Sequence, residues 1–327
     1  MKAVVLDRPG SPDILRISDV DTPVPGNGEV RVKVHAVGLN PVDYKLAEYG
    51  YPTWRFPFVL GLAVAGTIDE LGPDVSGWKV GDQVFYHGDL SKPGGFADYA
   101  VTAAHTMVPL PKGLSFVDAA GLPCAGFTAY HALFDKLHIQ ENQTILIHGG
   151  AGGVGGFGVQ LAAMSGLEVI STCSDHNADY VKTLGARHVI NYATQDVPAM
   201  VRKFTKEKGV DAVVDTISSQ SATAGLGMLA FGGGIACIAG LPDISKIVPF
   251  TKAFSVHEIA LGAVYLWGGK KKQERLVRYG KALGSLASEK KIQTMVGEVI
   301  SMEEIPDGLM RLSKRHVRGK IVAQIVP

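Results

Sequence analysis

The stretch TILIHGGAGGVGGFGVQLA, residues 144–162, has the pattern of a buried strand, a glycine turn and the start of a helix. Within it, Gly150, Gly152 and Gly155 have the G-x-G-x-x-G spacing of a dinucleotide-binding turn. We expect Gly150 to permit the sharp turn, Gly152 to let the backbone approach a pyrophosphate, and Gly155 to let the helix pack closely on the sheet. The unpaired N–H groups and the positive dipole end of that helix would then face the phosphates.

Around this turn, apolar strand-like runs alternate with helical patterns. The runs are TILIH (144–148), LEVISTC (167–173), HVINY (188–192), DAVVDTI (211–217) and GIACIAG (234–240). Near-continuous apolar strands separated by amphipathic helices are typical of a parallel sheet covered on both faces. We therefore predict a doubly wound α/β sheet around the glycine turn.

The two ends of the chain have a different rhythm. Residues 1–110 contain short β-rich runs separated by Gly- and Pro-rich turns, which favours a compact, partly open barrel. The tail returns to strand character after a helical region that ends near residue 290. We therefore predict a discontinuous first domain of residues 1–123 and 291–327, an inserted dinucleotide-binding domain of residues 124–290, and a cleft between them.

Composition limits the cellular context. The chain has 327 residues, with 32 basic and 31 acidic side chains and a formal net charge of +1, so nucleic acid and acidic membranes are not indicated as partners. No apolar run reaches the roughly 20 residues of a membrane-spanning helix, and MKAVVLDRPG lacks the pattern of a signal peptide. Its three isolated cysteines are typical of a reduced compartment, and we expect a cytoplasmic protein.

A series of motifs along the chain carries a family resemblance. They are GLNPVDYK (38–45), VLGLAVAGTI (59–68), GDQVF (81–85), GGFADYAV (94–101), AAGLPCAGFTAYHAL (119–133), GGAGGVG (149–155), LGARHVINY (184–192) and HVRGKIV (316–322). In this order they resemble the medium-chain dehydrogenase/reductase superfamily, in its zinc-independent quinone oxidoreductase branch. The resemblance implies a GroES-like, partly open β-barrel, a Rossmann doubly wound parallel sheet, a nicotinamide cofactor and a homodimer.

The same resemblance bears on zinc. Zinc alcohol dehydrogenases of the superfamily place a Cys near the position of Asn40 and a His–Glu pair after the glycine of the next strand. Here those stretches are NPVD (40–43) and GLAV (61–64). Cys124 lies where a third zinc ligand is usual, but a catalytic zinc needs about three protein ligands. We therefore predict no metal site and interpret Cys124 as a small buried residue.

The residues after the second predicted strand bear on the choice of cofactor. Ser174 at the strand end favours NADP, because NAD sites usually place an acidic residue there, although Asp175 follows directly. The resemblance places Tyr192 beside the adenine ribose phosphate, whereas Asn177 stands where a Lys is common. Arg315 matches a phosphate-side arginine of some relatives, with solvated helix surface as the alternative. We predict NADPH.

Further cofactor contacts are predicted from the strand ends and from one helix. Thr128, at the start of the helical run FTAYHAL, is expected to contact the nicotinamide or its phosphates, with helix capping as the alternative. The full predicted set of cofactor-binding residues is Thr128, Gly150, Ala151, Gly152, Gly153, Val154, Gly155, Ser174, Asn177, Tyr192, Ile238, Ala239, Gly240 and Arg315.

The predicted catalytic residues are Asn40, Tyr44 and Tyr51, which by the resemblance face the cleft. The Asn40 amide is suited to donate to a substrate carbonyl, whereas Asp43 more simply braces the turn that Pro41 begins. Tyr51 lines up with a tyrosine that related enoyl reductases use as a proton donor or orienter, a role that suits a phenol beside a forming enolate. Ordinary loop packing is the alternative for each tyrosine.

These residues predict an NADPH-dependent oxidoreductase that transfers hydride to a quinone or an activated enone without zinc. One alternative in the same class is an enoyl or alkenal double-bond reductase. Another, from a different class, is an NADPH-binding redox sensor or structural protein with little turnover, which the fold alone does not exclude. The sequence offers no assignable Ser/His/Asp or Cys/His constellation, so a hydrolase is not predicted.

Overall fold

The computed structural model describes residues 1–315 and 317–326, and the chain divides into two compact units. The first unit comprises Met1–Phe127 and Gly262–Pro327, and the second comprises Thr128–Leu261. The first unit is therefore discontinuous in sequence, and the second is an insertion in it.

Strands and helices are numbered here along the chain. The strands are β1 Lys2–Leu6, β2 Arg16–Asp19, β3 Glu29–Gly38, β4 Phe58–Val59, β5 Ala63–Leu71, β6 Gln83–His87, β7 Tyr99–Ala103, β8 Val108–Pro109, β9 Thr144–Ile147, β10 Glu168–Cys173, β11 His188–Asn191, β12 Val210–Asp215, β13 Leu229–Cys237, β14 Ser255–Glu258, β15 Val296–Ile300 and β16 Lys320–Gln324. The helices are α1 Pro41–Tyr49, α2 Phe116–Gly121, α3 Ala125–Tyr130, α4 Gly153–Met164, α5 Ala178–Thr183, α6 Val197–Thr205, α7 Ser219–Met228, α8 Val264–Trp267, α9 Gly269–Ser288 and α10 Ile305–Ser313.

The first unit is built on strand β3. Its first half pairs antiparallel with β7, its second half pairs antiparallel with β16, and β5 runs along its other side. Val30, Val32 and Val34 are buried in alternation, as expected of a strand with one face on a core. The sheet order is β15-β16-β3-β5-β6-β8, and a smaller sheet has the order β2-β1-β4. The tail of the chain therefore rejoins the first unit through β16.

Residues 262–290, which the sequence analysis assigned to the second domain, belong to the first unit. The reason is the packing of α9. Gly280 of this helix faces Val108 and Phe127 so closely that an added Cβ would lie 2.4 Å from Val108 Cγ2. The ring of Tyr279 also meets that of Phe127 edge to face, with centroids 6.2 Å apart. The amphipathic pattern of α9 predicted a helix but not which sheet it covers.

The second unit is a six-stranded parallel sheet in the order β11-β10-β9-β12-β13-β14. In chain order this is 3-2-1-4-5-6, the order of the doubly wound dinucleotide-binding sheet. The central strands β9, β10 and β12 are almost continuously buried. Strand order reverses between β9 and β12, and ligands of such sheets bind at the carboxyl ends beside that point. None of the helices in the described part of the chain is long and apolar enough to cross a membrane.

Candidate functional site

The glycine turn after β9 is packed so closely that most of its positions leave little room for a side chain. Gly149 makes the turn itself, with φ of 72°, so this role falls to Gly149 and not to Gly150 as the spacing predicts. An added Cβ on Gly150 would lie 2.2 Å from Ser171 Oγ, and one on Gly155 would lie 2.1 Å from Gly149 O. Gly152 is less crowded, with its nearest atom at 3.4 Å. Gly150 and Gly155 are therefore required for close packing, and Gly149 is required for backbone conformation.

The N-terminus of α4 offers backbone donors next to this turn. Gly152 is its N-cap residue, and the N–H of Gly156 donates the first bond of the helix, to Gly152 O at 2.8 Å. The N–H groups of Gly153, Val154 and Gly155 precede that bond and are the orphan donors of a helix start. The first turn carries no acidic side chain. The pyrophosphate of a dinucleotide fits such a terminus by charge and by hydrogen bonding.

Side chains from neighbouring strands hold the turn in place. Thr172 Oγ1 accepts from the N–H of Gly149 at 3.2 Å, and the N–H of Gly150 donates to Thr172 O at 3.0 Å. Thr216 Oγ1 donates to His148 O at 2.8 Å. The backbone of the turn is thus tied to β10 on one side and to the end of β12 on the other.

Two buried polar residues at the point of strand reversal were missed by sequence reasoning. His148 follows β9, and its Nδ1 lies 3.2 Å from Thr172 Oγ1, whereas its Nε2 is buried without a partner among residues 1–315 and 317–326. Asp215 ends β12, and its Oδ1 accepts from the N–H groups of Ile217 and Ser218 at 2.9 and 3.1 Å. Burial lowers the pKa of His148, and the charge of Asp215 acts in the opposite direction. The sequence signal that could have identified them is a polar residue at the end of an apolar strand, as His148 and Asp215 both are.

A polar cluster follows β10, where the sequence predicts the adenosine end of the cofactor. Asn177 Nδ2 donates to Ser174 Oγ at 3.1 Å, so the structure brings these two predicted residues together. It adds His176, whose Nε2 lies 3.3 Å from Ser174 Oγ and 3.2 Å from Asn177 Nδ2. Asp175 is exposed beside them. No spacing rule singled out His176, because its role depends on the conformation of this short turn.

The other predicted cofactor residues are more scattered. Six of them are partly exposed: Ile238, Ala239 and Gly240, which follow β13, and Gly152, Gly153 and Val154. Two are buried, Ala151 and Thr128. Tyr192 lies beyond β11 with 61% of its surface exposed. Arg315 is exposed after α10, in the first unit. Their roles toward a cofactor stay predictions.

Asn40, in the first unit, is the N-cap residue of α1 and is only 1% exposed. Its backbone N–H donates to Asp43 Oδ2 at 2.8 Å, so Asp43 braces the turn. Its side-chain Nδ2 donates to Gly38 O at 2.8 Å, and its Oδ1 accepts from Lys320 Nζ at 2.6 Å. The same ammonium group donates to Leu39 O at 3.1 Å. The Asn40 side chain also acts to lower the pKa of Asp43, and Nδ2 has a second hydrogen besides the one that it donates to Gly38 O.

Asn40, Asp43, Cys124 and Lys320 are called the Lys320 network below. Burial raises the pKa of Asp43 to about 7, although the hydrogen bond from the Asn40 N–H and the charge of Lys320 both act to lower it. Burial lowers the pKa of Lys320, and the nearby Cys124 and Asp43 oppose that shift. Cys124 was predicted to be buried but is partly exposed as a residue; burial of its thiol raises the pKa to about 12, so this thiol is protonated at neutral pH. Sequence reasoning missed Lys320, which no local motif connects to Asn40.

The two predicted catalytic tyrosines have different surroundings. Tyr44 is 8% exposed and packs in the apolar core of the first unit. Tyr51 is partly exposed at the edge of that core, with its ring centroid 6.0 Å from that of Trp54. These are the contacts of core and loop aromatics, and the catalytic assignments of Tyr44 and Tyr51 stay predictions. Among the residues whose placement is described, no cluster of three or more His, Cys, Asp or Glu side chains could hold a metal ion.

Comparison with known proteins gives consistent matches for both units. Residues 26–112 match the family described as alcohol dehydrogenase GroES-like domain, and residues 153–278 match the family described as zinc-binding dehydrogenase. The quinone oxidoreductase of Pongo abelii is 33% identical over 94% of this chain and 92% of its own length. A quinone oxidoreductase structure from Coxiella burnetii has a TM-score of 0.86 at 30% identity, covering 100% and 99% of the two chains. An NAD-dependent alcohol dehydrogenase structure has a TM-score of 0.88 at 28% identity, with both chains covered completely.

Proposed function

We propose a reaction for this chain from the premise that it belongs to the medium-chain dehydrogenase/reductase superfamily, in its quinone oxidoreductase-like branch. The proposed reaction is the reduction of quinones or activated enones with NADPH and without zinc. The observation that carries this proposal is the glycine turn. Gly150 and Gly155 have no room for a Cβ, and the turn lies at the point of strand reversal of a 3-2-1-4-5-6 sheet. The relatives named quinone oxidoreductase support the acceptor class.

The second unit fits a nicotinamide dinucleotide. The N–H groups of Gly153, Val154 and Gly155 would hold its pyrophosphate, and residues at the carboxyl ends of β9, β10 and β13 would hold the rest. When bound, the nicotinamide supplies the hydride. The chain itself supplies position and charge around the acceptor.

The cluster after β10 supports NADPH over NADH. Ser174 offers a hydroxyl, Asn177 an amide and His176 an imidazole, and all three groups can donate to a 2′-phosphate. NAD sites instead place a carboxylate at this strand end to accept from the ribose hydroxyls. Asp175 is one residue further on and takes no part in the hydrogen bonds that join the other three residues.

The Lys320 network supports a reaction without zinc. A catalytic zinc needs about three ligands with free lone pairs, typically His, Cys, Asp or Glu. Here Asn40 Oδ1 already accepts from the Lys320 ammonium, and that positive charge lies near Asp43 and Cys124. A second cation beside it would meet charge repulsion, so this donor set does not fit zinc. Without a Lewis acid, reduction of an activated acceptor is favoured over oxidation of an alcohol.

At the acceptor, Asn40 and a tyrosine have separate proposed roles. The remaining Nδ2 hydrogen of Asn40 would donate to the acceptor oxygen, on which negative charge develops during hydride transfer. Tyr51 or water would then deliver the proton to that oxygen or to the adjacent carbon. Tyr44 is the buried alternative to Tyr51 for that proton.

An acceptor screen with each nicotinamide cofactor tests the proposal. We expect 1,2-naphthoquinone to oxidise NADPH faster than a trans-2-alkenal does, and NADPH to react better than NADH. A faster alkenal reaction would favour the double-bond reductase, for which the partly exposed Tyr51 is suited. Tight NADPH binding with neither acceptor reduced above background would remove the enzyme proposal and leave the redox sensor or structural protein.

We also propose that the protein works as a cytoplasmic homodimer, as the family resemblance implies. Its three cysteines are free, which suits a reducing compartment. Sedimentation equilibrium of the purified chain would give the dimer mass, and a monomer at micromolar concentration would contradict this.

A further inference from the structure

We propose that Lys320 is a positioning residue for this reaction: its buried ammonium group fixes the orientation of the Asn40 amide and strengthens the amide as a hydrogen-bond donor. The inference rests on the proposed function, in which Asn40 contacts the acceptor. It begins from the two hydrogen bonds of Lys320 Nζ, to Asn40 Oδ1 at 2.6 Å and to Leu39 O at 3.1 Å. Lys320 is 4% exposed, so water does not replace either bond at low cost.

The chemistry of the two neighbours leaves one orientation for the amide. An ammonium group only donates, so the atom of Asn40 that faces Lys320 must be the acceptor Oδ1. Gly38 O only accepts, so the atom that faces it, at 2.8 Å, must be the donor Nδ2. A flipped amide would point N–H groups at the ammonium and an oxygen at Gly38 O. Both contacts would then be repulsive, and the second Nδ2 hydrogen would be lost as a donor at its present position.

The charge of Lys320 also acts through the amide. A hydrogen bond from an ionised donor is stronger than a neutral one, and hydrogen bonds in series polarise each other. Positive charge at Oδ1 draws electron density from the nitrogen, so the free Nδ2–H becomes a better donor to a developing oxyanion. The ammonium therefore strengthens the proposed donor without touching the acceptor.

The fold holds this lysine in place from a distant part of the chain. Lys320 is the first residue of β16, and two residues later Val322 pairs with Gly38 of β3. The titratable groups that face Lys320 are Asp43 of α1 and Cys124, which precedes α3. The thiol of Cys124 is neutral at neutral pH because burial raises its pKa to about 12. Asp43, whose pKa is raised to about 7, is therefore the group beside Lys320 that carries negative charge as pH rises through neutrality.

A double-mutant cycle tests the proposal. Lys320→Met keeps the length of the side chain and removes the donor and the charge. We expect kcat with 1,2-naphthoquinone and NADPH to fall about tenfold or more, with the Kd for NADPH changed by less than about twofold. In the Asn40→Ala background the same substitution should leave kcat almost unchanged, because Lys320 acts through Asn40. Lys320→Arg should restore part of the rate.

The control is Lys33→Met, an exposed lysine on β3, which should leave all of these values unchanged. An equal loss of kcat in both backgrounds, or no loss in the wild-type background, would overturn the proposal. If Lys320→Met does not fold, Lys320→Gln enters the same cycle. It keeps a neutral donor, so it should orient the amide and still lower kcat, and full wild-type activity would contradict the role of the charge.

A second readout separates this inference from the proposed function. The side-chain amide signal of Asn40 is assigned by its loss in Asn40→Ala in NMR spectra. We expect this signal to move in Lys320→Met and to stay in place in Lys33→Met. If the wild type reduces no acceptor, the proposed function fails, whereas an amide signal that does not move in Lys320→Met rejects the positioning role.

Discussion

The glycine turn of the second unit and the Lys320 network of the first unit are built by opposite means. The turn lies within seven successive residues, 149–155, and depends on missing side chains, since Gly150 and Gly155 have no space for a Cβ. The network depends on polar and titratable side chains whose members lie as much as 280 residues apart. The comparison shows that a backbone site is encoded locally, whereas a buried polar site is encoded by strand pairing.

The largest expected effect comes from breaking the charge balance of the network. Lys320→Met leaves the buried Asp43 carboxyl without a nearby cation and leaves Asn40 Oδ1 and Leu39 O without their donor, and each unsatisfied buried group costs about 1–3 kcal/mol of unfolding free energy. Lys320→Met combined with Asp43→Asn should recover much of that loss, because no buried charge is then left unpaired. Urea unfolding of the two variants, with Lys33→Met as the control, measures both values. A double variant less stable than Lys320→Met would contradict this account.

The next effect comes from filling space in the turn. Gly155→Ala places a Cβ against Gly149 O, and overpacking of this kind costs roughly 1–3 kcal/mol. Displacing the turn should also weaken binding of NADPH, which fluorescence titration measures. The matched control is Gly227→Ala in α7, where an added Cβ meets nothing within 4 Å. That variant should be neutral or slightly more stable, and equal behaviour of the two alanine variants would refute the packing argument.

The third prediction concerns pH and Asp43. Its pKa is raised in the folded state from 3.8 to about 7, so the folded state binds more protons than the unfolded state between these values. The contribution of this group to stability is fully present below pH 4 and is lost as pH rises through about 7, by at most about 1.4 kcal/mol per pH unit. Asp43→Asn should remove that slope. Denaturant unfolding at several pH values checks it, and parallel curves for wild type and variant would count against it.

The smallest effect concerns the choice of cofactor. Ser174→Asp introduces a carboxylate where a 2′-phosphate is proposed to bind, so the Kd for NADPH should rise roughly tenfold, or about 1.4 kcal/mol. The Kd for NADH should stay the same or fall. Thr183→Asp, an exposed position at the end of α5, is the control for added charge. An equal loss of affinity for both cofactors would argue against a phosphate site at Ser174.

Sequence patterns predicted the parts of the molecule whose causes are local. The alternation of apolar runs and helices predicted the parallel sheet, and the glycine spacing located the turn between β9 and α4. One local detail was assigned differently: Gly149, and not Gly150, makes the turn. It depends on backbone angles that periodicity does not give.

The parts that sequence could not predict depend on distant contacts. Lys320 reaches Asn40 only because β16 pairs with β3, and α9 joins the first unit only because Gly280 fits against Val108. Asp215 becomes a neighbour of His148 and of the turn through the parallel pairing of β9 and β12. Such contacts need the topology of the sheet, which a single sequence indicates only as a class.

The most direct test of the central claim compares binding with turnover in Asn40→Ala. NADPH oxidation by excess 1,2-naphthoquinone is followed by the absorbance of the reduced nicotinamide, and the Kd for NADPH is measured in parallel. The account predicts that wild type turns over and that Asn40→Ala is roughly tenfold or more slower, with the Kd changed by less than about twofold. Equal rates in the two proteins, or no oxidation above background by wild type, would contradict it.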